Sequence, residues 1–529
     1  MGEPGERAAL FTGPPPTNIN NDALLPNGNR GELHPELPEP VTDKDDPAIP
    51  YNHKWSFFLV MAGITTTLGS SVPVGFNIGV INTPAELIKG FCNESVIAHY
   101  GVILDGQHLE VLWAAVVSTF IVGGCTGSLL GAVLADWLGR KKATIATSGL
   151  WIAGALMFLF CRSANSVEML IFGRLLVGLS GGLTTSIVPM YLTELSPTQL
   201  TGTMGVACPM GVNVGVLVGQ VMGLNFLLGG VNDWPYLLSV YALLVIICLP
   251  MLWILPESPK YLYVVRRDRE SALKELSRLR GVSLSVLGDE VECLRAEAGS
   301  DEEQAYGLIA VLKERRFLIP LLLVCSMQAG QQTSGINAVF YYSQSIFRQA
   351  GLSVAGAQYA TIGCGFINVC TAVLMLRLLP RCGRRPLFLG SVLAAAVILA
   401  ALAAALRFMD AVPWMPFVSM VAVLLYVLVY GFGLGPIPYF IASEMFSVRS
   451  RGAGMAWGSL SNWAGNVAVG MAFPSARAAL GAYCFLVFAA LTAALYLFHR
   501  KYLPETLGRT PAQVTELCAR SLRNAHAHV

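Results

Sequence analysis

The chain has 529 residues, of which 54% are hydrophobic and 13% charged, with a formal net charge of +2 and a mean hydropathy of +0.58. That is more apolar surface than one soluble core can bury, so the chain needs a lipid solvent, and a lipid bilayer is its first expected partner. Charges of both signs sit in short polar segments rather than on a basic face, which gives no reason to expect a nucleic-acid partner.

Residues 1–54 are rich in Pro, Gly, Asn and acidic side chains and carry no apolar run, so they read as a disordered tail and not as a cleaved signal. Apolar stretches long enough for a bilayer, about 20 residues each, follow near 56–82, 109–135, 143–162, 168–192, 203–228 and 235–255. A charged insert covers 256–316. In its segment Ser271–Arg280, Leu273, Leu276 and Leu279 fall on one face, which predicts short amphipathic helices at the membrane surface, with a solvated linker as the alternative. A second set of apolar stretches lies near 317–347, 357–379, 387–408, 414–443, 453–475 and 478–498, before a polar tail over 501–529. The organisation expected is therefore a tail (1–54), a six-helix bundle (55–255), a helical linker (256–316), a second six-helix bundle (317–500) and a second tail. No histidine falls inside any of these stretches.

Basic residues cluster in Gly139-Arg140-Lys141-Lys142, in the insert, and in Arg381-Cys382-Gly383-Arg384-Arg385. These segments are expected on the cytoplasmic side, with both termini. Asn93-Glu94-Ser95 is an N-glycosylation sequon and falls on the opposite, external side. The 12 cysteines are scattered, Cys125, Cys248 and Cys364 among them, without zinc or disulfide spacing, and read as small packing residues. Neither a metal nor another cofactor is expected.

The two halves repeat each other. Leu138-Gly139-Arg140-Lys141 matches Cys382-Gly383-Arg384-Arg385, Glu194 with Gly202 matches Glu444 with Gly452, and Pro256-Glu257-Ser258 matches Pro504-Glu505-Thr506. Carboxylates at helix ends facing arginines on short loops suit a latch of individually weak pairs, each about 0–1 kcal/mol when exposed. For the basic loops the alternative is that they only set topology.

These motifs resemble the facilitative glucose transporter branch of the sugar porters in the major facilitator superfamily, over about Trp55 to Arg509. The densest matches are Gly173-Arg174 with Val188-Pro189-Met190-Tyr191, Pro256-Glu257-Ser258-Pro259-Lys260-Tyr261-Leu262, Gln331-Gln332-Thr333-Ser334-Gly335-Ile336-Asn337 through Tyr342, Gly435-Pro436-Ile437-Pro438, Ser461-Asn462-Trp463 and Pro504-Glu505-Thr506. The resemblance implies an all-α membrane protein with the major facilitator fold: twelve transmembrane helices in two six-helix bundles with a cytoplasmic helical insert. It implies a latch built from Arg140, Arg174, Glu194, Glu257, Arg384, Arg385, Glu444, Arg451 and Glu505. It implies sugar contacts from Gln331, Gln332, Asn337, Asn368 and Asn466, with Trp463 packing on the ring. Tyr341 and Tyr342 match an external gate, and the interrupted tenth span at Gly431, Gly433, Gly435, Pro436 and Pro438 an inner one.

The residues themselves support a neutral polyol as ligand. Amides buried in an apolar span without partners are costly, so Gln331 and Gln332 must face a cavity or another helix. Amides offer donors and acceptors to hydroxyls without bringing charge. Ser334-Gly335 can break the helix between Gln331 and Asn337, and discontinuous helices carry the sites of porters.

The chain departs from the family pattern at Pro73 and Pro209, where glutamines are usual, and at Gly431, Tyr439, Thr201 and Pro380. Asn213, one turn beyond Pro209, either compensates for the missing amide or packs. Thr201 in place of an arginine is expected to leave Glu194 short of a partner and the first half of the latch looser than the second, where Glu444 would pair with Arg451. The reading is a facilitative hexose uniporter, glucose first, working by alternating access, and not an enzyme. The alternatives are a fructose- or urate-preferring transporter, a proton-coupled symporter, disfavoured by Asn77 where related symporters carry an Asp, and a sensor that binds sugar without transporting it.

Overall fold

The computed structural model describes residues 55–82, 84–224, 226–298, 306–409 and 411–526. The expected tail over 1–54 lies outside them. From Phe57 onward the described residues form helices joined by short connections: α1 (Phe57–Gly79), α2 (Ala85–Tyr100), α3 (Gly106–Leu138), α4 (Arg140–Cys161), α5 (Val167–Leu195), α6 (Thr201–Met222) and α7 (Trp234–Ile254). The insert supplies α8 (Arg269–Arg280), α9 (Gly288–Ala298) and α10 (Leu308–Lys313). Then come α11 (Arg315–Thr333), α12 (Ile336–Gln349), α13 (Val354–Leu378), α14 (Arg384–Arg407), α15 (Met415–Phe432), α16 (Ile437–Met445), α17 (Val448–Leu480), α18 (Cys484–Tyr502) and α19 (Pro511–His526).

Helix starts follow their capping chemistry. Side-chain oxygens of Ser56, Asp105, Ser166, Asp268 and Ser353 accept from backbone N–H groups of Leu59, His108, Met169, Ser271 and Gly356 at 2.8–3.2 Å. Within α1 a π turn at Thr67–Ser71 precedes Pro73, whose missing N–H would otherwise interrupt the ladder. Helices α3 and α5 pack closely through glycines: a Cβ at Gly178 would lie 2.0 Å from the Phe120 carbonyl oxygen, so a methyl there would force the helices apart.

Among the described residues, ten helical segments are long and apolar enough to cross a membrane. The other two segments of the expected twelve, α11 with α12 and α17, are helical but more polar. Polar residues are tolerated at membrane depth where they face a cavity, which is where these helices lie.

Two expectations change. Helix α8 buries Ala272, Leu276 and Leu279, while Leu273 is only half-buried. This face is docked on the protein rather than on lipid, since Arg280 donates to the Leu195 carbonyl at 2.9 Å and pairs with Glu290 at 3.0 Å. His499, placed beyond the last span by hydropathy, lies in the final turn of α18, fully buried between the rings of Phe388 and Phe498. Hydropathy undercounts a helix end that is covered by its neighbours.

Candidate functional site

A cavity of about 600 Å³ lies between helices of both halves, in the size range of small-molecule sites. Its polar lining is made of amides: Gln332, Asn337, Asn368, Asn462, Asn466, Asn213, Gln220 and Gln358, with Trp463, Tyr430, Tyr439 and Thr185. Among the described residues, no Asp, Glu, Lys, Arg or His lines it.

The amides form a chain. Asn337 Nδ2 donates to Gln332 Oε1 at 2.9 Å and to Asn466 Oδ1 at 3.1 Å, and Gln332 Nε2 donates to Asn462 Oδ1 at 3.2 Å. Asn462 in turn donates to Gln331 Oε1, and Gln331 Nε2 donates to the carbonyls of Leu434 (3.0 Å) and Gly435. Gln331 is 1% exposed and stands behind the lining rather than in it. Of the two settings open to it, a cavity or another helix, Gln331 takes the second: its donors go to carbonyls freed by the break in the tenth span. Asn462, absent from the expected contacts, takes its place.

The two broken spans brace each other. The seventh breaks at Ser334 and Gly335, whose φ of +80° is the left-handed conformation that glycine adopts without penalty. Tyr426 of α15 donates to the Ser334 carbonyl there at 2.8 Å. The tenth breaks between Phe432 and Ile437, around Gly435 and Pro436, and receives Gln331 together with Gln328, which donates to the Pro438 carbonyl at 2.9 Å. At Gly431, a Cβ would lie 2.8 Å from Thr371 Cγ2, so Thr371 occupies the space that a side chain would need.

Trp463 lies against Gly124, where an added Cβ would come within 2.4 Å of its ring, and its Nε1 donates to Thr185 at 3.3 Å. One turn away, Ser459 Oγ lies 2.8 Å from both Ser128 Oγ and Thr185 Oγ1. These contacts join α17 to α3 and α5 beneath the cavity.

At one end of the molecule the repeated motifs form two copies of one arrangement. In the first, the N–H groups of Arg140 and Lys141 donate to Glu257 at 2.9 and 3.1 Å. The Arg140 guanidinium bonds Glu194 at 3.0 Å and the Ala135 carbonyl at 3.1 Å, and Ser258 donates to Glu194 at 2.6 Å. In the second, the N–H groups of Arg384 and Arg385 donate to Glu505 at 2.8 and 3.1 Å. Arg384 bonds Glu444 at 2.8 Å and the Leu379 carbonyl at 3.0 Å, and Thr506 donates to Glu444. Gly139, at φ +93°, sits so close to Glu257 that a Cβ would meet its carboxylate at 2.5 Å. Burial holds the Glu257 carboxyl above the ordinary carboxylate range, against the pull of the N–H groups of Ser258, Lys141 and Arg140.

The matches to known proteins agree with this architecture. Residues 62–517 match the family described as "Sugar (and other) transporter". The chain belongs to the sugar transporter family. It is 39% identical over 461 residues to the human solute carrier family 2, facilitated glucose transporter member 4, covering 86% of this chain and 90% of that protein. It is 35% identical over 473 residues to the horse facilitated glucose transporter member 5, covering 89% and 94%. Among solved structures, the proton:xylose symporter XylE bound to 6-bromo-6-deoxy-D-glucose matches with a TM-score of 0.73 at 21% identity, covering 88% of this chain and 99% of that one. This establishes the fold of the transporter as that of the major facilitators.

Three latch expectations are corrected. Glu194 does not lack a partner: besides Arg140 and Ser258 it receives Arg451 of the other half at 3.4 Å. Arg451 therefore pairs with Glu194 and not with Glu444. Arg174 is no part of the latch, because it sits two turns from the far end of α5, donating to the carbonyls of Val116 and Asn77 and lying over the Phe120 ring. Twenty helical residues separate it from Glu194, about 30 Å.

Thr201 is the repeat equivalent of Arg451, so the partner missing here is that of Glu444. The neighbouring Gly202 lies against the Arg384 guanidinium. Thr201→Arg should add a second crossing pair and favour the latched form about fivefold, since one half-exposed pair supplies at most about 1 kcal/mol. Thiol labelling at the latch end should slow accordingly. Equal labelling of both proteins would remove Thr201 from the control of the gate.

Of the remaining positions, the side chains of Tyr341 and Tyr342 lie outside the described ones. Asn93 stands on helix α2, and its sequon partner Ser95 is buried, donating to the Asn165 carbonyl at 2.6 Å. A glycan there would have to be attached before α2 docks.

Proposed function

We propose that this chain is a facilitative hexose uniporter, with glucose as the first candidate, and not an enzyme. The observation that carries the reading is a cavity lined by amides and aromatics with no charged side chain. Such a lining gives and accepts hydrogen bonds with neutral hydroxyls and has nothing to neutralise a charged ligand. Gln332, Asn337, Asn368, Asn466 and Asn462 are the proposed sugar contacts, Trp463 the ring platform, and Gln331 the link from these amides to the inner gate at Gly435, Pro436 and Pro438.

The latch end is cytoplasmic in this reading, with both termini on that side, and the membrane is the plasma membrane. The two halves, 55–255 and 317–500, rock about the cavity. Here Arg451 and Glu194 close the cytoplasmic end, while the cavity runs along α6 from Pro209 to Gln220 and Leu224, toward the external end. The sugar enters from outside in this state.

Asn77 supports uniport over symport: it is buried, its Nδ2 donates to the Pro73 carbonyl at 3.0 Å, and it has no proton to release. Proteoliposomes should show saturable hexose flux that stops when the sugar gradient is dissipated and is unchanged by an imposed pH gradient. Uphill accumulation driven by protons would refute uniport; absence of flux with glucose, fructose and galactose would refute the transport reading.

A further inference from the structure

We propose that Asn213 is a specificity-determining residue, through which the first half of the molecule reads one sugar hydroxyl jointly with Asn368. This rests on the sugar-transport reading above and adds to it a contact from the half that has lost its usual fifth-span amide.

Asn213 lies on α6, one turn beyond Pro209, half-buried and in the cavity wall. Pro209 contributes only an apolar ring to that wall. Asn368 Nδ2 of α13 donates to Asn213 Oδ1 at 3.2 Å, so the two amides meet across the boundary between the halves. Asn368 Oδ1 is then left buried without a hydrogen-bond partner, an arrangement that proteins rarely keep without reason. Asn213, by contrast, is half-buried in the cavity wall, and the atom that Asn368 engages is its Oδ1.

One bond between two amides leaves one donor end and one acceptor end. A hydroxyl is both donor and acceptor, so a single sugar hydroxyl can accept from Asn213 and donate to Asn368 at once. Reversing both amides in the pair would exchange the roles and preserve the complementarity. The ligand selected is a neutral polyol that places a free hydroxyl, neither alkylated nor missing, at this junction. Because the two residues belong to different halves, the same hydroxyl also ties the halves together around the bound sugar.

The test is equilibrium binding to the purified full-length protein in nanodiscs, using D-glucose and D-fructose and each singly deoxygenated analogue of whichever binds. Wild type should bind one analogue about tenfold more weakly than its parent. Asn213→Val should weaken the parent sugar about tenfold and bring that same analogue level with it, while discrimination at the other hydroxyls persists. Asn213→Ser serves if the valine variant does not fold, with the same collapse of discrimination at one hydroxyl. Parent affinity unchanged, or discrimination lost equally at every hydroxyl, overturns the role of Asn213 and leaves the transport reading standing. No binding of either hexose by wild type overturns both.

Discussion

Glu194→Ala should be the most damaging single change at the latch. Its carboxylate is fully buried between Arg140 and Arg451 and also accepts from Ser258. Removing it leaves two buried guanidinium groups facing one another, and breaking a buried pair in this way costs about 3–5 kcal/mol. The protein should melt at lower temperature, and cysteines placed at the latch end should label faster. Arg451→Ala removes only the contact that crosses between the halves, so it should reproduce the faster labelling with a smaller loss of melting temperature. If Glu194→Ala leaves labelling and melting as in wild type, the charged motifs hold no gate and serve topology alone.

Asn337→Ala should weaken hexose binding by about 10- to 100-fold, equivalent to about 1.4–2.7 kcal/mol. The side chain lines the cavity and donates to both Gln332 and Asn466, so its loss strips the ligand of one partner and leaves two carbonyl oxygens unsatisfied. Gln331→Ala is expected to act differently. Its amide holds the carbonyls of Leu434 and Gly435 at the tenth-span break, so exchange rate should change more than affinity. Binding isotherms and exchange flux on the same preparations separate the two. Wild-type affinity in Asn337→Ala would remove the α12 amide from the site.

The crossing helices, the repeat and the amide character of the cavity lining were legible in the chain itself. Hydropathy over about 20 residues is a local property and needs no partner to be read, and the recurrence of Gly139-Arg140 as Gly383-Arg384 is visible by inspection. Amides in apolar spans announce a cavity because their burial without partners is costly. Which amide faces the cavity and which stands behind it was decided only by tertiary packing. Gln331 and Gln332 are adjacent and chemically identical, yet the carbonyls of a broken helix about 100 positions later claim the first. The same holds for Arg451, whose partner Glu194 is 257 positions away while Glu444 is only seven positions upstream. Arg174 lies beside a family motif but faces Asn77 and Phe120, since a helix carries residues twenty positions apart to opposite ends of a bilayer. Helix formation and membrane insertion depend on short-range sequence, whereas hydrogen-bond partners are chosen by whichever unsatisfied group the packed neighbours bring within 3 Å or so.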